Sequence, residues 1–189
     1  MEEQKVIQRL KQGDIGSLEI LVNHYQEKAI RTAYLITQDK ALAHDVVQAS
    51  FISIYKSRHR LDATRPFAPY FFKSVVNGAI RASKKSHKQV SLDEENSGMV
   101  EALISSAENP ENLLEEQELR ERIERMLAQL SAEQRAVIVL KYYLGYSEQE
   151  MADKLQTPKG TIKSRLHKAR QQLKRLFQMN SPLPQEDLV

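Results

Sequence analysis

Residues 159–177 carry seven cations, Lys159, Lys163, Arg165, Lys168, Arg170, Lys174 and Arg175, and no acid. Ammonium and guanidinium groups in such a run neutralise phosphates and donate to the acceptor edges of bases. Ile162, Leu166, Ala169, Leu173 and Leu176 recur among them at helical spacing and make one apolar stripe. A helix packed along that stripe and cationic on its other faces suits the major groove of DNA. Basic helix faces are often only solvated surface, but those usually mix charge signs, and this one does not. The preceding residues supply the scaffold. Ser147 with Glu150 three residues on is a capping box, and Tyr146 with Met151 fills the flanking positions of a hydrophobic staple. This first helix is expected to end near Leu155. Thr157 is then expected to cap a second helix whose first position is Pro158, where a missing N–H costs nothing. Two short-linked helices of this kind predict a helix-turn-helix.

A second cluster lies at residues 65–85, RPFAPYFFKSVVNGAIRASKK. Phe67, Tyr70, Phe71 and Phe72 crowd together among Arg65, Lys73, Arg81, Lys84 and Lys85, and Asn77 offers a bidentate amide. Rings interleaved with cations suit unstacked bases, since stacking contributes about 1–3 kcal/mol per base while the cations hold phosphates. Phe71, Val75 and Ala79 are expected in the core. Asn77, Arg81 and the loop residues before Pro66 are expected to be exposed.

Other chemistries find no constellation. His24, His44, His59, His87 and His167 show no metal-binding spacing such as HExxH, and there is no cysteine to complete a site. His44 and Asp45 are neighbours along a helix rather than a facing pair. No glycine-rich phosphate loop or nucleophile elbow occurs. Neither catalysis, a cofactor, a metal nor a small-molecule substrate is expected. The 189 residues are 41% hydrophobic and 28% charged, with a mean hydropathy of −0.54, which fits a polar chain of one medium or two small domains. No apolar run approaches the roughly 20 residues of a membrane helix. The N-terminal MEEQKVIQRLKQGD is amphipathic rather than a signal peptide. With no cysteine for a disulfide framework, the cytoplasm is the expected compartment.

The net charge of +3 conceals a pattern. Residues 1–90 carry 15 Lys/Arg against 8 Asp/Glu, residues 91–118 carry 9 acids and no base, and residues 119–189 carry 13 bases against 8 acids. Two basic blocks around an acidic strip predict two nucleic-acid-facing units. Residues 91–112, SLDEENSGMVEALISSAENPEN, have the composition of a linker. With six glycines and few alternating stretches, the expected fold class is all-α: two small helical domains, 1–90 and 113–180, joined by a flexible acidic linker at 91–112, the second carrying the helix-turn-helix, with a frayed tail at 181–189. Within the first domain, Asp14 is expected to cap a helix reaching about Ile36. A second helix runs from about Lys40 to Ser57, with Leu42, Val46, Ala49, Ile52 and Ile54 at core spacing. Residues 59–66 form a loop, and Pro66 opens a third helix to about Lys84. In the second domain a helix is expected over Leu113–Leu130, then one opened by a Ser131–Gln134 capping box and ending at Gly145.

Residues 10–178 resemble the bacterial RNA polymerase sigma factors of the small, extracytoplasmic-function (ECF) type. DVVQASF at 45–51 is similar to the family's clamp-gripping helix, with Ala49 where Glu is common. RPFAPYFFKSVVNGAIR is similar to its promoter −10 segment, with Tyr70 in place of the usual tryptophan. LSAEQRAVIVLKYYLGYSEQEMADKLQTPKGTIKSRLHKAR is similar to its −35-binding domain. The resemblance implies a function in promoter recognition, melting and transcription initiation. It implies core polymerase contacts at Asp45, Val46, Gln48 and Phe51. Contacts to the −10 element fall on Leu61, Asp62, Arg65, Asn77 and Arg81, which would hold a base flipped from the duplex at a cost of a few kcal/mol. Contacts to the −35 element fall on Lys159, Gly160, Lys163, Ser164, His167 and Lys168. The implied partners are core RNA polymerase, promoter DNA and an anti-sigma factor clamped between the two domains. The acidic linker, threaded through the polymerase's RNA path, would imitate a transcript's charge. The extra C-terminal domain of some relatives is not expected here. The alternative is a stand-alone helix-turn-helix regulator whose residues 1–90 sense a ligand or dimerise, but that block's own positive charge and aromatic-basic helix favour the first reading.

Overall fold

The structure, a computed structural model, describes residues 2–89 and 110–179, with side chains over 2–86 and 117–179. Every element among these residues is helical. The chain divides into two compact units, Met1–Ala107 and Glu108–Val189. Most of the acidic linker, 91–109, and the tail expected over 181–189 lie outside the described residues; residues 110–112 already belong to a helix.

The first unit contains α1 (Glu3–Lys11), α2 (Ile15–Thr37), α3 (Lys40–Lys56), a 3-10 turn at Arg58–Arg60 and α4 (Phe67–Gln89). Aspartates open two of these helices. The Asp14 carboxylate accepts from the Gly16 N–H at 2.9 Å and from the Ser17 hydroxyl at 2.9 Å, so two first-turn donors of α2 are satisfied by one side chain. Gly13, at φ +95, makes the turn from α1 that brings Asp14 there. Asp39 accepts from the Leu42 N–H at 2.9 Å and opens α3 in the same way. α2 packs on both α3 and α4, and these two pack on each other. Leu21, Ala33, Ile36, Phe71, Val75 and Ala79 are fully buried between them. Phe71 centres a ring cluster, 4.4 Å from Phe51 and 5.5 Å from Phe67 by centroid. Two residues expected in the core of α3 lie outside it: Ile52 is 47% exposed and Ala49 is exposed.

The second unit contains α5 (Pro110–Ala128), α6 (Ala132–Ile138), α7 (Glu148–Leu155) and α8 (Lys159–Met179). α5 starts at Pro110, three residues before the expected Leu113, because proline is well suited to a first helical turn. The Ser131–Gln134 box is formed in both directions. The helix it opens does not stay regular to Gly145: it widens into a π turn at Val139–Tyr143, with the Leu144 N–H reaching the Val139 carbonyl at 3.0 Å. Gly145 then takes φ +76. Arg135 is 1% exposed and donates through Nη1 to the Leu130 carbonyl at 2.8 Å, so it ties α6 to the last residues before it.

Candidate nucleic-acid interface

The helix-turn-helix in the second unit is assembled by its caps. Ser147 accepts from the Glu150 N–H at 3.3 Å while Glu150 accepts from the Ser147 N–H at 2.8 Å. The bonds that the Ser147 N–H and hydroxyl donate to it hold the Glu150 carboxyl below the usual carboxylate range. Met151 is fully buried at the position the staple requires. α7 ends on Gln156 in the left-handed conformation, φ 50, and the Thr157 N–H reaches back to the Ala152 carbonyl at 3.0 Å, the long bond of a Schellman turn. The Thr157 hydroxyl donates to the Leu155 carbonyl at 3.0 Å, so Thr157 closes α7, where a cap for α8 was expected. The first carbonyl of α8 is that of Pro158, which accepts from Thr161 and Ile162.

α8 is held on one side and open on the others. Ile162, Leu166 and Ala169 are buried, and Leu173 and Leu176 continue the stripe half-buried. Lys159, Gly160, Lys163, Ser164, His167 and Lys168 are all exposed. The six candidate −35 residues therefore share the N-terminal half of one accessible helix, the half that helix-turn-helix proteins present to base edges. Two cations on this helix have partners that the spacing did not reveal. Lys163 lies 4.0 Å from the Glu148 carboxylate on α7, and Arg170 donates through Nε to the Tyr142 hydroxyl at 2.8 Å. Both partners sit on elements preceding α8, which periodicity along α8 alone cannot identify.

In the first unit, the residues before α4 form a short, self-bonded loop. Asp62 accepts from the Thr64 N–H at 3.0 Å and the Thr64 hydroxyl at 2.6 Å, and Arg65 Nε lies 3.2 Å from the same carboxylate. These bonds from Thr64 pull the Asp62 carboxyl below its ordinary value. Asp62, Arg65 and Arg81 are exposed, and Asn77 is half-buried. Leu61 departs from the expectation: at 6% exposure it is a core residue, and its side chain anchors the loop instead of facing a ligand. Phe71 is core as expected; of the other three rings of the cluster, Phe67 and Phe72 are core as well, and only Tyr70, 47% exposed, can meet a base. An apolar stripe at helical spacing is needed to seat α4, and three phenylalanines fill it.

The candidate polymerase residues of α3 divide in the same manner. Asp45 and Gln48 are exposed, whereas Val46 and Phe51 are 8% and 6% exposed and belong to the core. The open face of α3 includes Asp45, Gln48, Ala49 and Ile52, spaced at i, i+3, i+4 and i+7. Ile52 was hidden by its residue type, although its spacing from Asp45 placed it on that face. A shallow cleft of about 330 Å³ separates Asp45 from Arg81 on α4.

Residues 21–89 match the family model for sigma-70 region 2, and residues 120–173 match that for sigma-70 region 4. The ECF RNA polymerase sigma factor SigW of Bacillus subtilis is 28% identical over 176 residues, covering 90% of this chain and 94% of that protein. The ECF RNA polymerase sigma-E factor of Escherichia coli is 27% identical over 178 residues, covering 90% and 92%. Among solved structures, CnrH in complex with the cytosolic domain of CnrY is similar with a TM-score of 0.66 at 20% identity, covering 96% of this chain and 100% of that one. The sigma factor RpoE of Bartonella quintana, in complex with the anti-sigma factor NepR, gives a TM-score of 0.64 at 19% identity, covering 86% and 98%. The chain belongs to the sigma-70 family, in its ECF group. It is a sigma factor that directs promoter recognition. No helix among the described residues is long and apolar enough to cross a membrane.

Proposed function

We propose that this sigma factor binds core RNA polymerase through the open face of α3, reads the −35 element with α8, and opens the −10 element with the 61–66 loop and α4. The observation that carries this reading is the α8 surface: an acid-free, exposed cationic face on a helix fixed from behind by Ile162, Leu166 and Ala169. Lys163, Ser164, His167 and Lys168 would meet base edges and phosphates, with Lys159 and the Gly160 backbone at the helix start. In the first unit, Asn77, Arg81, Asp62, Arg65 and Tyr70 would hold a flipped base and its strand, while Leu61 supports them from below. On α3, Asp45 and Gln48 are the polymerase contacts, with Val46 and Phe51 holding the helix in place. An anti-sigma factor is the further partner, since two structural neighbours were solved with one or with a cytosolic fragment of another protein. The site of action is the cytoplasm, where polymerase and promoter meet, and no chemical step is assigned to the chain.

The test is reconstituted run-off transcription with core polymerase over a promoter library. A sigma factor gives transcripts only with core enzyme and binds a promoter poorly alone. High-affinity binding of a duplex by the free chain, with no polymerase-dependent transcript, would favour a stand-alone regulator instead.

A further inference from the structure

Glu3, the first residue of α1, lies far in sequence from any promoter-facing residue, yet its carboxylate bonds to the start of α4. Oε1 accepts from the Phe67 N–H at 2.8 Å, and Oε2 accepts from the Tyr25 hydroxyl. The Phe67 N–H is one of the first-turn donors that a helix cannot satisfy itself. The cap of α4 is thus supplied from 64 residues away in sequence. Glu3 is itself well braced: Val6, Ile7 and Leu10 bury α1 against the unit, and Tyr25 touches the Phe67 ring at 5.4 Å. Burial and the adjacent carboxylate raise the Tyr25 pKa, so the phenol stays protonated and donates. The segment so pinned is short. Leu61 and Phe67 are both buried, and the exposed residues Asp62, Thr64, Arg65 and Pro66 hang between these two anchors. An open cleft of about 490 Å³ lies between the start of α1 and Thr64, Arg65 and Pro66.

From this we infer that Glu3 is a positioning residue for promoter opening: its carboxylate fixes the joint between the 61–66 loop and α4, holding the loop in one arrangement for the displaced strand. The inference rests on the −10 role proposed above for that loop. Pre-arranged groups bind a flipped base without first being ordered, which lowers the free energy of the opening step. Glu3→Ala removes the acceptor, whereas Glu3→Gln retains a carbonyl oxygen for the Phe67 amide. With core polymerase and a duplex promoter carrying 2-aminopurine in its −10 element, Glu3→Ala should open the promoter at least five-fold more slowly. Glu3→Gln should remain within two-fold of wild type, and core-binding affinity should stay within two-fold for both. Hydrogen exchange in the free protein should show the Phe67 amide deprotected in Glu3→Ala alone. Equal slowing by both variants, no slowing by either, or a parallel loss of core affinity overturns the inference. Failure of the wild type to open any promoter would instead sink the functional reading beneath it.

Discussion

Gly78 on α4 stands so close to Val46 on α3 that an added Cβ would lie 3.0 Å from Val46 Cγ1. α3, with the proposed polymerase contacts, and α4, with the proposed −10 contacts, therefore meet side chain against backbone at this point. Alanine at Gly78 gains about 0.5–1 kcal/mol of helix preference and loses a comparable amount as Val46 shifts. Valine adds branched methyls at this close approach, and overpacking costs about 1–3 kcal/mol. Gly78→Ala should leave the denaturation midpoint nearly unchanged, while Gly78→Val should lower it clearly.

Glu148 shadows Lys163 at 4.0 Å, an exposed pair of the kind worth about 0.2–1 kcal/mol. Glu148→Gln should raise affinity for a −35 duplex by up to a few fold at low salt. Lys163→Ala and Lys168→Ala should each weaken binding and lower the slope of log K against log salt by about 0.9. Fluorescence anisotropy across a salt series measures both quantities. Run-off transcription unchanged in both lysine variants would remove α8 from the assigned interface.

The two hydroxyls around α7 should behave differently. Ser147 opens a reciprocal capping box, so Ser147→Ala should cost about 0.5–2 kcal/mol. Thr157 makes a bond back into the end of α7, and Thr157→Ala should cost less than about 0.5 kcal/mol, as at ordinary surface positions. Equal losses in chemical denaturation would show Thr157 acting as a true cap for α8.

Acid should loosen the first unit at the start of α2. Hydrogen bonds from Arg9 and Ser17 hold the Asp14 carboxyl below its ordinary value. A depressed folded-state pKa contributes stability that is present above the unfolded value near about 4. That contribution is lost as the pH falls through the lower folded value. The melting temperature of Asp14→Asn should therefore lie below wild type at neutral pH, and the gap should close below about pH 4. A gap that persists undiminished in acid would mean the carboxylate charge is not what opens α2.

Much of the architecture was legible because it is local. Asp14, Ser131 and Ser147 each announce a helix start through residues within three positions, and the α8 stripe needs only its own period. What escaped reading was tertiary. Ile52 looks like core by residue type, and which face of α3 is covered is decided by its packing against α2 and α4. Leu61, Val46 and Phe51 sit inside motifs associated with contacts, yet a short loop and a helix packed against two others need apolar anchors of their own. The Glu3–Phe67 and Tyr142–Arg170 bonds join residues 64 and 28 positions apart, beyond any pattern that spacing can encode.

The wide turn at Val139–Tyr143 holds one residue more than a regular helical turn there would contain. Each residue of an α-helix advances the winding by about 100°. In a regular helix one surplus residue would swing everything after it by that angle, whereas the widened turn absorbs it locally, so excising it should leave α7 and α8 facing nearly as before. Chain length at this one place is thus a point of tolerance, where a residue can be gained or lost with little change in the direction of the helices that follow.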